Sequence, residues 1–210
     1  VAQTLPCIKG RLLDVGCGRK PYISLFAEIV RRYYGVDIPP DKSANKQEKN
    51  IDIYADITLG LPFKSGTIDT VLCTEVIEHV PEPARLFSEI SRILKTGGYL
   101  ILSAPQVWGL HEEPRDFYRY TKYGLRYLAE SSNFEPEEII GHCGIWGTVG
   151  QRLSSFLHYH FVDGRNLVVK LSIKPIYIIL QQVCLLLDKL FGKSGDTLGN
   201  TLIAKKLERE

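Results

Sequence analysis

The 210-residue sequence has almost no excess of charge of either sign, because 26 Lys and Arg residues against 24 Asp and Glu residues give a formal net charge of +2. A chain so close to neutrality has no broad basic surface, and no electrostatic argument favours nucleic acid as a partner. Internal repeats and low-complexity segments are also absent from the sequence. Small molecules are therefore the substrate class to expect.

The five cysteines are few and scattered. They stand at positions 7, 17, 73, 143 and 184 with no CxxC pair, so the sequence indicates neither a zinc site nor a redox couple. The first ten residues, VAQTLPCIKG, lack the cationic flank and apolar stretch of a signal peptide. These features predict a reducing compartment, and we expect a cytoplasmic protein.

No apolar stretch is long enough for a transmembrane span, which takes about 20 apolar residues. The most apolar segment, KLSIKPIYIILQQVCLLLDKLF, is broken by Pro175, Gln181 and Gln182. It predicts a helix that starts at Pro175, because proline suits the first helical turn. Its apolar stripe comprises Ile176, Ile179, Leu180, Val183, Leu187 and Leu190. We expect residues 166–191 to pack on the sheet, to form a homodimer contact, to touch a membrane surface or to cover a lipophilic substrate.

The composition is that of a folded domain, with 44% hydrophobic and 24% charged residues. Short β-rich runs alternate with segments of helical spacing, which predicts a parallel sheet covered by helices on both faces. The predicted strands are RLLDVG, YYGVDI, IDIYADI, IDTVLCT, GYLILSA, EPEEIIGH and GNTLIAKKL. Helices are predicted over 23–30, 84–94 and 121–132, the last capped by Thr121 and ended by Asn133. We expect one α/β domain over 1–210, with a helical insertion at 143–195.

A glycine-rich turn follows the first predicted strand and contains Asp14, Gly16, Cys17 and Gly18. Backbone N–H groups at such a turn allow a nucleotide-like ligand to lie close to the main chain. A dinucleotide fingerprint needs a third glycine where this chain has Pro21. The absence of a following GKS or GKT excludes a P-loop. The turn therefore favours a nucleotide-like ligand without a pyrophosphate.

Carboxylates follow the next two predicted strands. Asp37 stands 21 residues after Gly16, the distance at which a carboxylate accepts from both hydroxyls of a ribose. Asp56 is placed to accept from an adenine amino group, with Ile57 against the ring. Asp14, near the turn, suits an ammonium group. Adenosine with an ammonium and no phosphate is the chemistry of S-adenosylmethionine.

With these residues in order, the sequence resembles a known family. LLDVGCG, GVDI, ADITLGLPFKSGTIDTVLCTEVIEHVPEP and LFSEISRILKTGGYLILSAP are similar to the motifs of class I S-adenosylmethionine-dependent methyltransferases. The small-molecule branch with the ubiquinone-biosynthesis O-methyltransferases is the most similar, and the resemblance covers 11–142. It implies a Rossmann-like seven-stranded sheet, mostly parallel with an antiparallel last strand. The donor contacts that it implies come from Asp14, Gly16, Gly18, Asp37, Asp56, Ile57 and the residues around Thr74.

Two features depart from the family pattern, namely Lys20, where many relatives have a third glycine, and the insertion at 143–195. The resemblance implies an enzyme that methylates a small-molecule acceptor, with a hydroxyl oxygen favoured. Alternatives are N- or C-methyl transfer, or a degenerate donor-binding partner subunit. A nicotinamide oxidoreductase is disfavoured by Pro21.

A hydroxyl acceptor must lose a proton, and candidate groups follow the fourth and fifth predicted strands. Glu75, Glu78 and His79 are spaced to share one side of a helical turn, and His111 follows in HEEPRDFYRYT. In one interpretation His111 or His79 is a general base. In a second, all four hold Mg²⁺ or Mn²⁺, since EVIEH is similar to the ExxEH metal site of ubiquinone O-methyltransferases. In a third, these side chains are structural.

The segment from Pro105 to Tyr120 is rich in aromatic and arginine side chains. It predicts an acceptor-binding wall, because stacking and forked donors fix a polar ring. The alternative is that Arg115 simply pairs with Asp116 and the aromatic side chains pack beneath the insertion.

Overall fold

The computed structural model describes residues 4–39, 51–162, 167–191 and 195–208. The strands in these ranges are β1 (Arg11–Val15), β2 (Arg32–Asp37), β3 (Ile53–Tyr54), β4 (Ile68–Thr74), β5 (Leu94–Pro105), β6 (Phe134–Gly141) and β7 (Gly199–Lys206). The α-helices are α1 (Ile23–Phe26), α2 (Pro83–Ile93), α3 (Lys122–Glu130), α4 (Ile145–Leu157) and α5 (Leu167–Phe191). Short turns of 3-10 helix lie at Leu5–Cys7 and Ile77–His79, and a π-helical turn lies at His158–Val162.

The strands form one sheet in the order β3-β2-β1-β4-β5-β7-β6. β1 is parallel to both β2 and β4, and the pairs β2–β3 and β4–β5 are also parallel. The last strands are antiparallel. Because the strand order reverses between β1 and β4, a ligand crevice is expected at the carboxyl ends of these strands. The predicted Rossmann-like fold is confirmed.

Both faces of the central strands are buried, which explains their nearly continuous apolar sequences. Leu13 and Val15 face a large core that also contains Phe87 of α2 and Phe134 of β6. Leu12 belongs to a second, smaller core on which α1 packs. The two cores fix the positions of the strand ends, from which the candidate site is built.

Several elements differ from their predicted bounds. The helix predicted over 23–30 ends at Phe26, because backbone N–H groups after it donate to the Gly10 carbonyl and lead the chain into β2. The third predicted strand is reduced to Ile53–Tyr54. Leu94, which helical spacing assigns to the preceding helix, instead begins β5.

α3 confirms the capping prediction. The Thr121 hydroxyl accepts a hydrogen bond from the Gly124 N–H at 3.1 Å, and Leu125 and Ala129 are buried. Asn133 has a φ of 65°, the left-handed conformation expected after this helix.

The chain divides into two compact units. The first comprises Val1–Ala104, Leu110–Ile140 and Thr201–Glu210, and contains most of the sheet. The second comprises Pro105–Gly109 and Gly141–Asn200, and its main elements are α4 and α5, which pack against each other.

α5 begins at Leu167 and contains Pro175 in its interior, so the predicted start at Pro175 is wrong. Proline removes one backbone donor from a helix, and the contacts of α5 with α4 offset that loss. Among the described residues, no helix is both long enough and apolar enough to cross a membrane.

Small residues on α4 allow α5 to approach closely. A Cβ on Gly147 would lie 2.7 Å from Asp188 Oδ2, and one on Gly150 would lie 2.7 Å from Cys184 Cβ. Asp188 is buried and accepts hydrogen bonds from backbone N–H groups at the start of α4. The donors are Gly144, Trp146 and Gly147, at 2.8, 3.0 and 3.0 Å. These bonds satisfy N–H groups that a helix start leaves unpaired, and they fasten α5 to α4.

The packing predicts that Gly150→Ala destabilises the protein, because the new methyl group would overlap the Cys184 Cβ. We expect the free energy of unfolding to fall by about 1–3 kcal/mol in urea titrations. Gly195→Ala is the matched control, since a Cβ there meets no atom within 4 Å. Equal stability of the two variants would contradict the close approach of the helices.

Candidate functional site

A cavity of about 590 Å³ opens at the carboxyl ends of β1, β2 and β4, within the first unit. Its volume is in the range of small-molecule sites. The lining residues are Gly16, Gly18, Asp37, Ile38, Asp56, Ile57, Thr58, Glu75, Val76, His79, Val80, Pro81, Glu112, Arg115 and Phe117. Of the residues singled out in the sequence, the cavity brings together Gly16, Gly18, Asp37, Asp56, Ile57, Glu75 and His79.

The glycine turn is held against the end of β2. Gly16 has a φ of 68° and Gly18 a φ of 48°. These are left-handed backbone conformations that residues other than glycine disfavour. A Cβ on Gly16 would also overlap Val76. The Gly18 N–H donates to Asp37 Oδ2 at 2.7 Å, while the Ile38 N–H donates to Asp37 Oδ1 at 2.7 Å. Asp37 therefore fixes the turn and at the same time presents its carboxylate to the cavity.

Lys20 has a structural task in this turn. Its side chain is buried and its ammonium pairs with Asp52, which also accepts from the Gly35 N–H at 2.7 Å. The lysine stem and Cys17 occupy the space beside Gly35, where a Cβ would overlap both. The departure from the family pattern at this position thus replaces a glycine by a buried lysine, whose ion pair with the exposed Asp52 ties the turn to β2.

Asp14 is almost fully buried, and the cavity lining, as described, does not include it. Its Oδ2 accepts a hydrogen bond from the Tyr33 hydroxyl at 2.5 Å. Its Oδ1 is buried without a hydrogen-bond partner in the described structure. Burial raises the pKa of this carboxyl from 3.8 to about 6, although the Tyr33 bond and the charge of Lys20 oppose the rise.

The other residues that were predicted to contact the methyl donor differ in their surroundings. Asp56 Oδ1 accepts from the N–H and the hydroxyl of Thr58, at 2.9 and 2.7 Å, and these bonds hold the pKa of Asp56 below its usual range. Asp56 therefore caps its own loop while it lines the cavity. Cys17 is buried, and burial raises the pKa of its thiol to about 12. Thr74 ends β4 and, like Cys17, is not among the lining residues.

Glu75 does not share a helical turn with Glu78 and His79, although the spacing predicts one. It has a φ of 52°, and the helical turn begins only at Ile77. The Glu75 Oε1 instead accepts from the Ser103 hydroxyl at 2.6 Å. Spacing predicts a shared face only if the helix is continuous from Glu75. Glu75 itself has a left-handed backbone, which directs its side chain into the cavity wall.

Glu78, His79 and His111 form a compact cluster. The Nε2 atoms of His79 and His111 lie 3.8 and 3.9 Å from Glu78 Oε1. The two imidazole rings meet edge to face with centroids 4.8 Å apart. His79 Nδ1 lies 2.6 Å from the Arg115 carbonyl oxygen, and His111 Nδ1 lies 3.4 Å from Asp116 Oδ2. Both rings thus have an oxygen atom beside Nδ1, and both Nε2 atoms lie near Glu78 Oε1. His79 Nε2 is also 3.8 Å from Glu112 Oε2.

The Glu78 carboxylate is fully buried, and neither of its oxygens has a hydrogen-bond partner in the described structure. Burial raises its pKa to about 7, and the charge of Glu75 adds to the rise while His111 and Arg119 oppose it. A buried carboxyl of this kind is stabilised by a proton or by a cation between it and the imidazoles.

The segment after β5 closes one side of the cavity. Arg115 and Phe117 line it, as the predicted acceptor wall requires. Asp116 pairs with both terminal nitrogens of Arg119, at 2.6 and 2.7 Å, so the alternative pairing with Arg115 is wrong. The Phe117 N–H donates to the Glu78 carbonyl at 2.9 Å, which joins this segment to the cluster.

Tyr33, Asp52 and Ser103 support the site and were not singled out from the sequence. The same is true of the lining residues Ile38, Thr58, Val76, Val80, Pro81 and Glu112. Tyr33 pairs with Leu12 in the sheet, so the two-residue period of strands could have placed it on the same face as Asp14. Asp52 and Ser103 carry no comparable signal, because their partners come from distant parts of the chain.

Comparison with known proteins agrees with this geometry. Residues 13–102 match the family described as a methyltransferase domain. An uncharacterised methyltransferase of Mycobacterium sp. strain JLS is 33% identical over 168 residues, which cover 71% of this chain and 65% of that protein. A ubiquinone biosynthesis O-methyltransferase of Xanthomonas euvesicatoria pv. vesicatoria is 29% identical over 139 residues, which cover 61% and 54% of the two chains.

Among solved structures, a SAM-dependent methyltransferase from Archaeoglobus fulgidus superposes with a TM-score of 0.62. The alignment has 19% identity and covers 98% of this chain and 90% of that one, so the likeness concerns the fold. The chain spans between 54 and 65% of the length of the first curated relatives that it matches.

The buried Asp14 predicts a specific pH dependence of stability. The pKa of Asp14 rises from 3.8 in the unfolded chain to about 6 on folding. The protonated Asp14 therefore adds to the free energy of unfolding in full below pH 3.8, and this stabilisation is lost as the pH rises through 6. We compare the wild type with Asp14→Asn by urea unfolding on both sides of this window. The stability of the wild type relative to the variant should fall by about 3 kcal/mol as the window is crossed. A difference that does not change with pH would contradict the raised pKa.

Proposed function

We propose that the chain is a class I S-adenosylmethionine-dependent methyltransferase that methylates a small-molecule acceptor. A hydroxyl oxygen is the acceptor atom that we favour. The observation that carries the proposal is the cavity at the strand ends, where the glycine turn, Asp37 and Asp56 meet Glu75 and His79. Methyl transfer from a sulfonium is an in-line displacement, so alignment and exclusion of water in this cavity are the main contributions of the protein.

We assign the donor contacts by their chemistry. Asp37 accepts one N–H bond on each oxygen, and each oxygen keeps a lone pair for a ribose hydroxyl. Ile57 and Asp56, which line the cavity together, take the adenine ring and its amino group. Asp14, two residues before Gly16, has one buried oxygen without a partner, and we assign to it the attraction of the donor ammonium.

The assignment of Asp37 predicts that Asp37→Asn weakens binding of S-adenosylhomocysteine at least about tenfold in isothermal titration calorimetry. The amide would place an N–H₂ group where the Gly18 N–H and a ribose hydroxyl need an acceptor, which costs about 1–3 kcal/mol. Glu130→Gln, an exposed change at the end of α3, is the control and should bind like the wild type. Equal binding by the two variants would remove Asp37 from the site, and no binding by the wild type would overturn the proposed function.

Transfer is tested separately from binding. Incubation with labelled S-adenosylmethionine and a panel of phenols, quinone precursors and glycans should label a hydroxyl acceptor. Labelled amines or carbon acids would indicate N- or C-methyl transfer instead. Donor binding with no transfer to any acceptor would favour the alternative of a degenerate donor-binding partner subunit.

For activation of the acceptor, we propose that Glu78, His79 and His111 hold a divalent cation. The support is that their nearest donor atoms lie within 4.8 Å of one another, and that both Glu78 oxygens are buried without a partner. Each ring has an oxygen atom beside Nδ1, and an oxygen partner on the second ring nitrogen is usual for a metal-bound histidine. Two imidazoles favour Mn²⁺ over Mg²⁺, and such a cation lowers the pKa of a bound hydroxyl.

Glu75 belongs to the predicted ligand set but bonds to Ser103 instead, so we leave it out of the proposed site. The rival interpretation of the cluster is metal-free, with His79 as the base that faces the cavity. In that case His111, also named as a candidate base, keeps a positioning role beside Asp116.

The two interpretations differ in a measurement that needs no turnover. Titration of the protein with Mn²⁺, followed by the loss of the free-ion electron paramagnetic resonance signal, should show one site. Glu78→Gln should weaken that site at least about tenfold, because it removes the carboxylate charge, whereas Glu130→Gln should leave it unchanged. Absence of Mn²⁺ binding, together with activity that persists in a chelator, would favour the metal-free base.

We also propose that residues 1–210 act as one methyltransferase domain with 143–195 as an insertion. The support is that β6 and β7, which flank the insertion in the sequence, are neighbours in the sheet. A cytoplasmic location is likewise a proposal, supported by five cysteines that are free thiols.

A further inference from the structure

In the α4–α5 pair of the second unit, polar and small residues lie between the helices and large apolar residues lie on the outside, the reverse of a helix pair in water. The surfaces that α4 and α5 press together are small or polar. Gly147 and Gly150 meet Asp188 and Cys184, and the Gln181 and Gln151 side chains hydrogen-bond to each other at 2.5 Å. The Ser154 hydroxyl donates to the Tyr177 carbonyl at 3.4 Å. In a helix pair whose other faces meet water, apolar side chains normally fill this inner position.

The large apolar side chains of the pair point outward instead. On α4 an outward stripe with helical spacing is 39–49% exposed and consists of Trp146, Val149, Leu153 and Phe156. On α5 a second stripe is 48–67% exposed and consists of Ile176, Ile179, Val183, Leu186 and Leu190. We call these two stripes together the outer face of the α4–α5 pair. Exposed apolar surface of this extent marks a place where a protein meets another molecule or a membrane.

The charges near the outer face have one sign. Arg152, Lys174 and Lys189 are exposed. Over the described side chains of 145–161 and 172–191, the only acidic residue is Asp188, which is buried and bound to the start of α4. The described part of this surface therefore offers cations and apolar groups, and no exposed carboxylate.

We propose that the outer face of the α4–α5 pair binds the surface of an anionic lipid bilayer. Small residues between helices and large apolar residues outside them are the arrangement that lipid favours, because hydrocarbon solvates the outer side chains. Cations beside an apolar face are attracted to anionic headgroups. Neither described helix can span a membrane, so the pair lies in the interface with its apolar face inserted.

A second copy of the chain is the main competing occupant, since the outward stripes also have the spacing of a helix-bundle seam. A twofold contact would place the same surface against itself. It would bring the surface that carries Arg152, Lys174 and Lys189 against the same surface of the second copy, without an exposed carboxylate on the described outer face to compensate these cations. Anionic headgroups complement these charges, and we therefore favour the bilayer.

The full chain is tested by flotation with vesicles of equal parts phosphatidylcholine and phosphatidylglycerol, and with vesicles of phosphatidylcholine alone. We expect binding to the anionic vesicles that weakens as salt is added, because headgroup attraction is screened. The double variant Ile179→Gln and Leu186→Gln should lower the bound fraction at least about fivefold. The matched control is Tyr123→Gln with Tyr127→Gln, which changes two exposed apolar side chains on α3 in the first unit.

A second measurement does not depend on how the double variant folds. Trp108 and Trp146 are the two tryptophans of the chain, so Trp108→Phe leaves Trp146 as the single tryptophan fluorophore. Anionic vesicles with brominated acyl chains should quench its emission. The proposal is overturned if the wild type does not float with anionic vesicles and the Trp108→Phe variant is not quenched, and also if the wild type elutes as a dimer that only the α5 double variant converts to a monomer. Either result is independent of donor binding, so the proposed function is judged separately.

Discussion

Parallel hydrogen bonding of β1 to β2 on one side and to β4 on the other determines where the groups of the candidate site lie. Because parallel strands end at the same edge, the turn after β1, the carboxylate at the end of β2 and the residues after β4 meet across a short distance. The bonds from the Gly18 and Ile38 N–H groups to Asp37 strengthen this arrangement at the end of β2. Loss of the β1 pairing would disperse the lining residues.

The sequence predicts those elements of this structure whose bounds are set by interactions within a few residues along the chain. β4 has its predicted bounds and α3 begins at its predicted cap, because apolar periodicity and capping act within a few residues. The turn after β4 does not follow from spacing, since the left-handed Glu75 ends the regular pattern before the helical turn begins. The predicted start of α5 at Pro175 is too late. Proline marks the start of a helix only where tertiary packing does not extend the helix on the N-terminal side of the proline.

Two buried carboxyls, Asp14 and Glu78, give the site its electrostatic character. Each has its pKa raised by burial, and each has buried oxygen atoms without hydrogen bonds in the described structure. Both residues stand at recognisable positions in the sequence, but residue type alone does not show whether a carboxyl is desolvated. The cost of burying them is repaid by a positive partner, which for Asp14 would be the donor ammonium and for Glu78 a proton or a cation. Ligand binding at this site is therefore expected to be linked to the release of protons.

The positions of the two strands that flank the helical pair indicate how this chain can change in evolution. β6 and β7 are neighbours, and the His142 N–H donates to the Gly199 carbonyl at 3.0 Å, so the segment between them leaves and rejoins the sheet at nearly one point. An inserted segment with adjacent ends can be lengthened, shortened or exchanged by recombination without moving the strand ends that line the cavity. The same core can in this way acquire a new attachment or a new acceptor by exchange of one inserted segment.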